Sequence, residues 1–350
     1  MSPAARRPTI SDVAQAAGAS RSTTSRALSG TGYVSPEVRN RVRKAAKRLG
    51  YIPDAMARGL KQRTSATIGL LVSDLRNHFY AQLASGASQA AKQRGFAILL
   101  TDTGGHRLNG AGGPTTQTDE TDVADIFLGQ RVAGVIVTPV SATVTKHLTE
   151  RQVAVVEVDR TFGSKSADAV TVSNADGAAE ATAHLIGLGH RRIALIIDEL
   201  DWTTGQQRHA GYEAALRSAG LPISDDLVVA SGWDADDARR AVLELLQRPD
   251  RPTAVFAANN VIAEGAWRAG AELGLAIPGE LSLIGFDDAP WMSMVSPPVT
   301  TVAQNPYALG EAAVGQLLER IADPESARRQ IILGTELILR GSTGPAKTVE

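Results

Sequence analysis

The chain has 350 residues, more than one ordinary hydrophobic core organises, so we expect two or three domains. It contains no cysteine, which excludes disulfides, thiolate chemistry and cysteine-based zinc sites. No stretch approaches the roughly 18 apolar residues of a membrane span, and the start lacks the apolar run of a signal peptide. We therefore expect a cytoplasmic protein with no membrane segment.

The formal net charge of −1 hides a strong asymmetry along the chain. Residues 1–63 hold 13 lysines and arginines against three acids, whereas the remainder holds 23 against 34. A small head of charge +10 on a larger acidic body favours a polyanion as the partner of the head. The alternative is a solubilising basic tail, which predicts disorder, and the helical pattern of this segment argues against it.

Three short helices are predicted in the first fifty residues. Thr9 and Asp12 form the pattern of a capping box before a helix that Gly18 ends. Ser20 is expected to cap a second helix. A third helix opens at Ser35-Pro36-Glu37, which combines a cap, a proline in the first turn and an acid near the positive end of the helix dipole.

The second of these helices carries the sequence SRSTTSRALSG over residues 20–30, which offers little apolar surface to bury. Two helices joined by a glycine-containing turn, with a third helix completing a small core, form the helix-turn-helix pattern. In that pattern, hydroxyls on the second helix reach phosphates or base edges, and arginines pair with guanine. Helical hairpins are common, so the positive charge is what favours DNA as the partner.

The stretch TISDVAQAAGASRSTTSRALSGTGYVSPEVRNRVRKAAKRLGYIPDAMARGLK resembles the DNA-binding head and hinge of the lactose-repressor (LacI/GalR) family, and the similarity continues through nearly the whole chain. The resemblance implies that Arg21, Ser22 and Thr23 begin the recognition helix and meet base edges. Ser25 and Arg26 follow on the same helix. The residues expected at the DNA backbone or at flanking bases are Ile10, Ser11, Ser20, Ser29, Tyr33 and Ser35. For each single serine or threonine, the alternative is a helix cap or a solvated hydroxyl.

The segment YIPDAMARGLKQ resembles the hinge of the family, which folds into helices only when two copies pair on DNA. The resemblance places Ala57 and Leu60 at the DNA. Leu60 is expected in the minor groove, where an apolar wedge unstacks and kinks a base step. The alternative is that Leu60 and Met56 pack on the body. Two residues depart from the family pattern, because Asp54 stands where asparagine is usual and Thr24 replaces the usual valine.

From residue 66 the chain alternates apolar, β-branched strands with helical stretches, which is typical of parallel sheets covered on both faces. The strands are too many for one modest sheet, so we expect an α/β body, like the periplasmic binding proteins, with two doubly wound parallel-sheet subdomains. The expected boundaries are 1–50 for the all-α helix-turn-helix domain, 51–65 for the hinge, 66–172 with 306–333 for the first effector-binding subdomain, 173–305 with 334–343 for the second, and 344–350 for the tail.

Polar side chains follow several of the predicted strands, which is where ligands bind in such sheets. An arginine there grips adjacent hydroxyls or a carboxylate, and a tryptophan face stacks against a sugar or a base. We expect Arg208 to open a helix of the second lobe. Together with the family resemblance, this reasoning gives the expected effector contacts Ser73, Asn77, Phe79, Tyr80, Thr138, Asp159, Arg208, Trp233, Asn259 and Asp287. For each lone aspartate, a helix N-cap is an equal alternative.

Two single residues and three further segments bear on specificity and assembly. His78 stands where the family usually has proline, and Asn260 replaces a common aspartate. Residues 103–121 are rich in glycine and threonine, and we interpret them as an enlarged mobile surface loop, because no GK[ST] follows for a phosphate cradle. The late helix of SPPVTTVAQNPYALGEAAVGQLLERI is expected to help form a dimer, and the tail has no leucine heptad for a tetramer.

The sequence therefore predicts a homodimeric repressor whose affinity for a near-palindromic double-stranded operator is set by a sugar or another polar metabolite, with no cofactor. The alternative is a sugar-binding receptor of the periplasmic-binding type, which the basic helix-turn-helix head disfavours. An enzyme is not expected, because His184, His190 and His209 show neither a catalytic triad nor metal-ligand spacing.

Overall fold

The computed structural model describes residues 8–30, 32–51, 65–103, 120–162, 167–232 and 234–347. The chain divides into two compact units, Met1–Ala66 and Thr67–Glu350. The predictions for Ala57, Leu60 and Trp233, and those for the hinge and the Gly/Thr-rich loop, lie wholly or largely outside the described residues.

Within the described residues, the helices and strands are as follows. The helices are α1 (Ile10–Ala17), α2 (Arg21–Ser29), α3 (Pro36–Leu49), α4 (His78–Gln93), α5 (Glu120–Gly129), α6 (Ala142–Thr149), α7 (Asn174–Gly187), α8 (Thr203–Ser218), α9 (Ala235–Leu246), α10 (Asn260–Glu272), α11 (Pro290–Met294) and α12 (Pro306–Ala322). The strands are β1 (Thr67–Val72), β2 (Ala97–Asp102), β3 (Gly134–Val137), β4 (Ala154–Val158), β5 (Asp168–Val172), β6 (Ile193–Ile197), β7 (Val228–Ala230), β8 (Ala254–Ala257), β9 (Ser282–Phe286), β10 (Thr300–Ala303), β11 (Gln330–Leu333) and β12 (Glu336–Ile338).

The first unit is built from α1, α2 and α3. The backbone N–H of Thr9 donates to the Asp12 carboxylate (2.7 Å) and the N–H of Asp12 donates to the Thr9 hydroxyl (3.3 Å), so the expected capping box is present. Gly18 ends α1 with a left-handed backbone (φ 59°), which a glycine adopts without steric cost. The small apolar core holds Val13, Ala17, Ala27, Val34, Val42, Ala45 and Ala46.

The second unit contains two sheets, and therefore two lobes. The first-lobe sheet has the strand order β11-β5-β4-β3-β1-β2 and is parallel throughout. The second-lobe sheet has the order β12-β10-β9-β8-β6-β7, in which only the described pair β10–β12 is antiparallel. In each lobe the second strand is added on one side of the first strand and the later strands on the other side. The switch point lies between β1 and β3 in the first lobe and between β6 and β8 in the second. Ligands of doubly wound sheets bind at the carboxyl ends of strands near such a switch point.

Helix α12 follows β10 and packs on the first lobe. Gly310 lies so close to the backbone of Leu83 on α4, and Gly86 so close to Tyr307, that neither glycine has room for a Cβ. Arg320 at the far end of α12 donates two hydrogen bonds, of 2.8 and 2.9 Å, to the buried carboxylate of Asp168. These contacts fix α12 to the first lobe, so β11 joins that sheet before the chain returns to the second lobe as β12.

Candidate functional site: a recognition helix and an interlobe cleft

Helix α2 presents a polar face to solvent. Arg21, Ser22 and Arg26 are exposed, whereas Thr24 and Ala27 are buried in the core of the first unit. Two arginines on one open helix face supply the donors that read guanine in the major groove. The surface therefore has the chemistry of a recognition helix.

Several of the predicted DNA-contacting hydroxyls also have partners within the chain. The Ser20 hydroxyl accepts from the N–H of Thr23 (3.1 Å) and lies 2.9 Å from that of Ser22, so Ser20 caps α2. Ser35 caps α3 in the same way, with the N–H of Val38 at 3.4 Å. The Ser29 hydroxyl donates to a backbone carbonyl of α2. A capping role does not exclude DNA contact, because a serine hydroxyl has two lone pairs and one proton.

The remaining predicted DNA residues differ in exposure. Ser11 is exposed, and Tyr33 is 89% exposed, so Tyr33 has no role in the core. Ile10, Thr23 and Ser25 are half-buried at the surface of the unit. The basic surface of this unit and these exposed side chains together suit a phosphate backbone.

A cavity of about 260 Å³ lies between the two lobes. Seven of the ten predicted effector residues line it: Asn77, Phe79, Tyr80, Asp159, Arg208, Asn259 and Asp287. Because these residues come from the start of α4, from the ends of β4, β8 and β9 and from α8, distant parts of the sequence converge at one place. Trp233 lies outside the described residues, and Ser73 and Thr138 are buried without lining this cavity.

Arg208 forms the positive centre of the second-lobe wall. The expectation that it opens a helix is wrong, because α8 begins at Thr203 and Arg208 lies in the second turn. Its Nε donates to the Asn174 side chain (2.9 Å), a second nitrogen donates to the Ala258 carbonyl, and the guanidinium lies 3.7 Å from the centre of the Phe286 ring. These contacts orient the guanidinium beside the cavity while burying it almost completely.

A second buried arginine, Arg160, forms the corresponding centre of the first lobe. It donates to the Tyr80 hydroxyl (3.0 Å) and to the Ser73 hydroxyl, which explains why Ser73 lies behind the cavity wall. Its guanidinium lies 3.9 Å from the centre of the Trp202 ring, which belongs to the second lobe. Arg160 and Trp202 were not among the predicted contacts, although the sequence places Arg160 directly after a predicted strand.

Two buried aspartates complete the polar lining. Burial raises the pKa of Asp159, although Arg160 and Arg208 oppose the rise, and the Tyr80 hydroxyl donates to this carboxyl group (3.3 Å). Burial raises the pKa of Asp287 to about 6, again opposed by Arg208 and by a hydrogen bond from Gln304. Neither aspartate caps a helix among the described residues, so the N-cap alternative does not describe them.

Asn259 does cap a helix, and it also faces the cavity. Its Oδ1 accepts from the N–H of Ile262 (2.8 Å), and its Nδ2 donates to Asp198 (3.2 Å). Asn77 similarly caps α4 by accepting from the N–H of Phe79 (3.0 Å). Thr138 is fully buried at the end of β3, and its hydroxyl finds no hydrogen-bond partner in the described part of the chain.

A second, larger cavity of about 420 Å³ lies on the other side of Phe79 and Asp287. Its lining includes two segments that link the lobes, around Gln304 and Thr335. Only two of the predicted effector residues reach it. The smaller cavity is the candidate effector site, because it gathers Arg160 and Arg208 together with the two buried aspartates.

A basic helix-turn-helix unit joined to a two-lobed α/β unit with a polar cleft defines the class of ligand-responsive, DNA-binding transcriptional regulators. The family model described as "Bacterial regulatory proteins, lacI family" matches residues 9–54, and that of a periplasmic binding protein-like domain matches residues 182–343. The chain belongs to the lacI family of bacterial regulatory proteins.

Individual relatives support this assignment over nearly the full length. The ribose operon repressor of Haemophilus influenzae is 34% identical over 338 residues, which cover 95% of this chain and 98% of the relative. The structure of the lac repressor dimer bound to operator and the anti-inducer ONPF is 28% identical, with a TM-score of 0.83, and covers 97% of this chain and 100% of that one. The complex of the transcriptional regulator CelR with cellobiose is 30% identical, with a TM-score of 0.71, over 96% and 100% of the two chains.

These findings confirm the predicted family, fold class and function as a ligand-responsive regulator. They favour it over a periplasmic-type receptor, because the relatives share the helix-turn-helix unit as well as the two-lobed body. In the described ranges, no helix combines the length and the apolar character that crossing a bilayer requires.

Proposed function

We propose that the chain is a homodimeric repressor whose effector is a single unphosphorylated sugar bound in the 260 Å³ cavity. The observation that carries the proposal is the presence of two buried arginines and two buried aspartates around one small space. Guanidinium groups donate and carboxylates accept, so together they satisfy neighbouring hydroxyls, each of which is both a donor and an acceptor. The apolar face of a sugar ring is suited to Phe79 and Trp202.

The charge of the lining favours a neutral ligand over an anionic one. Five aspartates and three arginines line the cavity: Asp74, Asp159, Asp198, Asp234 and Asp287, with Arg76, Arg160 and Arg208. Arg76 is already paired with Asp74 (2.8 Å). A phosphate or carboxylate on the ligand would therefore meet an excess of like charge in the cavity.

The size of the cavity favours one sugar ring. Its volume lies below the roughly 300 Å³ at which drug-sized pockets begin. One relative is a ribose operon repressor, and one similar structure contains cellobiose. Between these two kinds of ligand, a monosaccharide fits this cavity better than a disaccharide does.

We infer that two copies of the chain place two α2 helices on a near-palindromic duplex, because the symmetry of a dimer is matched by a two-fold symmetric site. Such a protein works in the cytoplasm, where the chromosomal DNA of a bacterium lies. The arrangement needs no catalytic step, so we propose no enzymatic activity for the cleft. The effector acts by linkage, which commonly changes DNA affinity about five- to hundredfold.

The test uses the full-length protein and a duplex selected by it from random sequence. Isothermal titration calorimetry compares neutral pentoses and hexoses with their phosphate esters, and fluorescence anisotropy follows duplex binding with and without each sugar. We expect one neutral monosaccharide to bind and to shift the duplex affinity, while its phosphate ester does neither. Preferential binding of the phosphate ester would overturn the proposed effector class, and failure to select any duplex would overturn the role as a repressor.

A further inference from the structure

The two lobes are joined by direct hydrogen bonds at two separate places. The Asn260 side chain of the second lobe donates through Nδ2 to Oδ1 of Asn77 in the first lobe (2.9 Å). The backbone N–H of Thr161 in the first lobe donates to the hydroxyl of Thr203 in the second (3.0 Å). We call these two hydrogen bonds the interlobe latches.

The first latch requires a hydrogen-bond donor at position 260. Asn77 Oδ1 already accepts the N–H of Phe79 as the N-cap of α4, so this oxygen is fixed as an acceptor. Its partner in the second lobe must therefore be a donor. The amide of Asn260 supplies one, whereas the carboxylate of an aspartate at this position would repel the same oxygen. Asn260 is only 5% exposed, so water screens little of this interaction.

The second latch lies beside the stacked pair that crosses the cleft. Thr161 directly follows Arg160, and Thr203 directly follows Trp202, so the stacking contact and the latch join the same two segments. Thr203 is the first residue of α8, the helix that also carries Arg208. A hydrogen bond here therefore couples the end of β4 to the helix that places a ligand-binding arginine.

We propose that the interlobe latches stabilise the approach of the two lobes and thereby set effector affinity and the size of the operator response. This inference rests on the proposed function, because lobe closure matters to DNA binding only if a ligand is held between the lobes. A ligand that binds the closed form pays the free energy of closure, so contacts that favour closure raise its apparent affinity. Neither Asn260 nor Thr203 lines the 260 Å³ cavity, so both residues act by positioning the lobes.

The first experiment compares Asn260→Asp with Asn305→Asp in the full-length protein. Both changes add one negative charge near the start of a helix, but the described hydrogen bonds of Asn305 stay within its own helix. Calorimetry with the neutral pentose or hexose that binds the wild type in the titrations described above is expected to show about three- to tenfold weaker binding for Asn260→Asp, as loss of one net hydrogen bond implies, and unchanged binding for Asn305→Asp. Equal affinities in the two variants would overturn the role of the first latch.

The second experiment compares Thr203→Val, which removes the acceptor, with Thr203→Ser, which keeps it. We expect Thr203→Val to weaken sugar binding about threefold and Thr203→Ser to restore it. Small-angle X-ray scattering of the proteins without sugar provides an independent measure, and we expect a larger radius of gyration for Asn260→Asp and Thr203→Val than for their controls. If each variant has the same radius of gyration and the same melting temperature as its control, the proposed role of the interlobe latches is overturned. If the wild type binds no sugar while the radii differ as expected, the proposed effector fails and the latches stand.

Discussion

Asp159 and Asp287 occupy corresponding positions in the two lobes. Each follows a buried strand directly, each has a left-handed backbone (φ 72° and 68°), and the backbone N–H of each donates to the neighbouring strand, at Val170 (3.0 Å) and Val302 (2.9 Å). A left-handed backbone is uncommon outside glycine and is tolerated best by asparagine and aspartate. Such strained positions cluster at functional sites, and here they place one carboxylate from each lobe in the same cavity.

The raised pKa of Asp287, about 6, predicts a pH dependence of stability. Between pH 4 and 6 the folded chain keeps this proton while the unfolded chain releases it, so the free energy of unfolding falls as pH rises through that window. Asp287→Asn carries no such proton. We expect the stability of the variant relative to the wild type to increase by roughly 2–3 kcal/mol between pH 4 and 7.

Chemical denaturation of both proteins at several pH values measures this difference, and groups that titrate equally in the two proteins cancel. Arg208 attracts the Asp287 carboxylate, and Asp287→Asn removes this attraction. The lost attraction contributes to a constant difference in stability between the two proteins, but little to the way that difference changes with pH. A difference that stays constant from pH 4 to 7 would show that this carboxyl group titrates near its ordinary pKa.

Arg208→Lys and Arg208→Ala are expected to lose the effector response while keeping operator binding. Lysine keeps the charge but cannot make the fork of contacts to Asn174 and Ala258, so we expect at least about tenfold weaker sugar binding. Alanine removes the positive charge that attracts the two buried aspartates, and we expect sugar binding to be lost. Arg217→Ala, an exposed change on the same helix, serves as the control in calorimetry and duplex anisotropy. Normal sugar binding by Arg208→Ala would move the effector site elsewhere.

The sequence predicted the elements of the body because continuous apolar strands and helical stretches alternate clearly in it. The runs TIGLLVSD and LSLIGFDD, for example, contain β1 and β9. A polar residue after a parallel strand is placed by topology alone, which is why Asp159, Asn259 and Asp287 were predicted from position and meet in one cavity.

The residues missed by the sequence depend on contacts between the lobes, which no local pattern encodes. Trp202 lies at the end of the loop between β6 and α8, and its position over Arg160 depends on how the two sheets face each other. The Asn77–Asn260 pair joins residues 183 positions apart in the chain. Ser73 does follow a strand as predicted, but it does not line the cavity. Its hydroxyl accepts a hydrogen bond from Arg160, which does line the cavity, and the sequence gives no sign of this contact.

Arg26→Ala is expected to weaken operator binding about five- to hundredfold, as the loss of one bidentate guanine contact implies. Arg26 is exposed on α2, and its removal leaves the core of the first unit intact. Arg48→Ala removes the same charge from an exposed position on α3 and controls for the general effect of charge. Anisotropy over a range of salt concentrations separates a base contact from a phosphate contact. Equal losses in the two variants would remove Arg26 from the base-reading set.

Thr24→Val is expected to stabilise the DNA-binding unit. Thr24 is fully buried, and its hydroxyl has no hydrogen-bond partner among the residues that the structure describes. An unsatisfied buried hydroxyl costs roughly 1–3 kcal/mol, and valine has nearly the same shape without that group.

Hydrogen–deuterium exchange of the full-length protein measures the effect directly in α1, α2 and α3. We expect amide protection in these helices to rise at least about fivefold in Thr24→Val, with operator affinity unchanged because the side chain faces the core. Thr23→Val is the matched control, since the Thr23 hydroxyl lies 2.8 Å from that of Ser20, and its loss should bring no gain. Equal protection in wild type and Thr24→Val would mean that the Thr24 hydroxyl is hydrogen-bonded in solution.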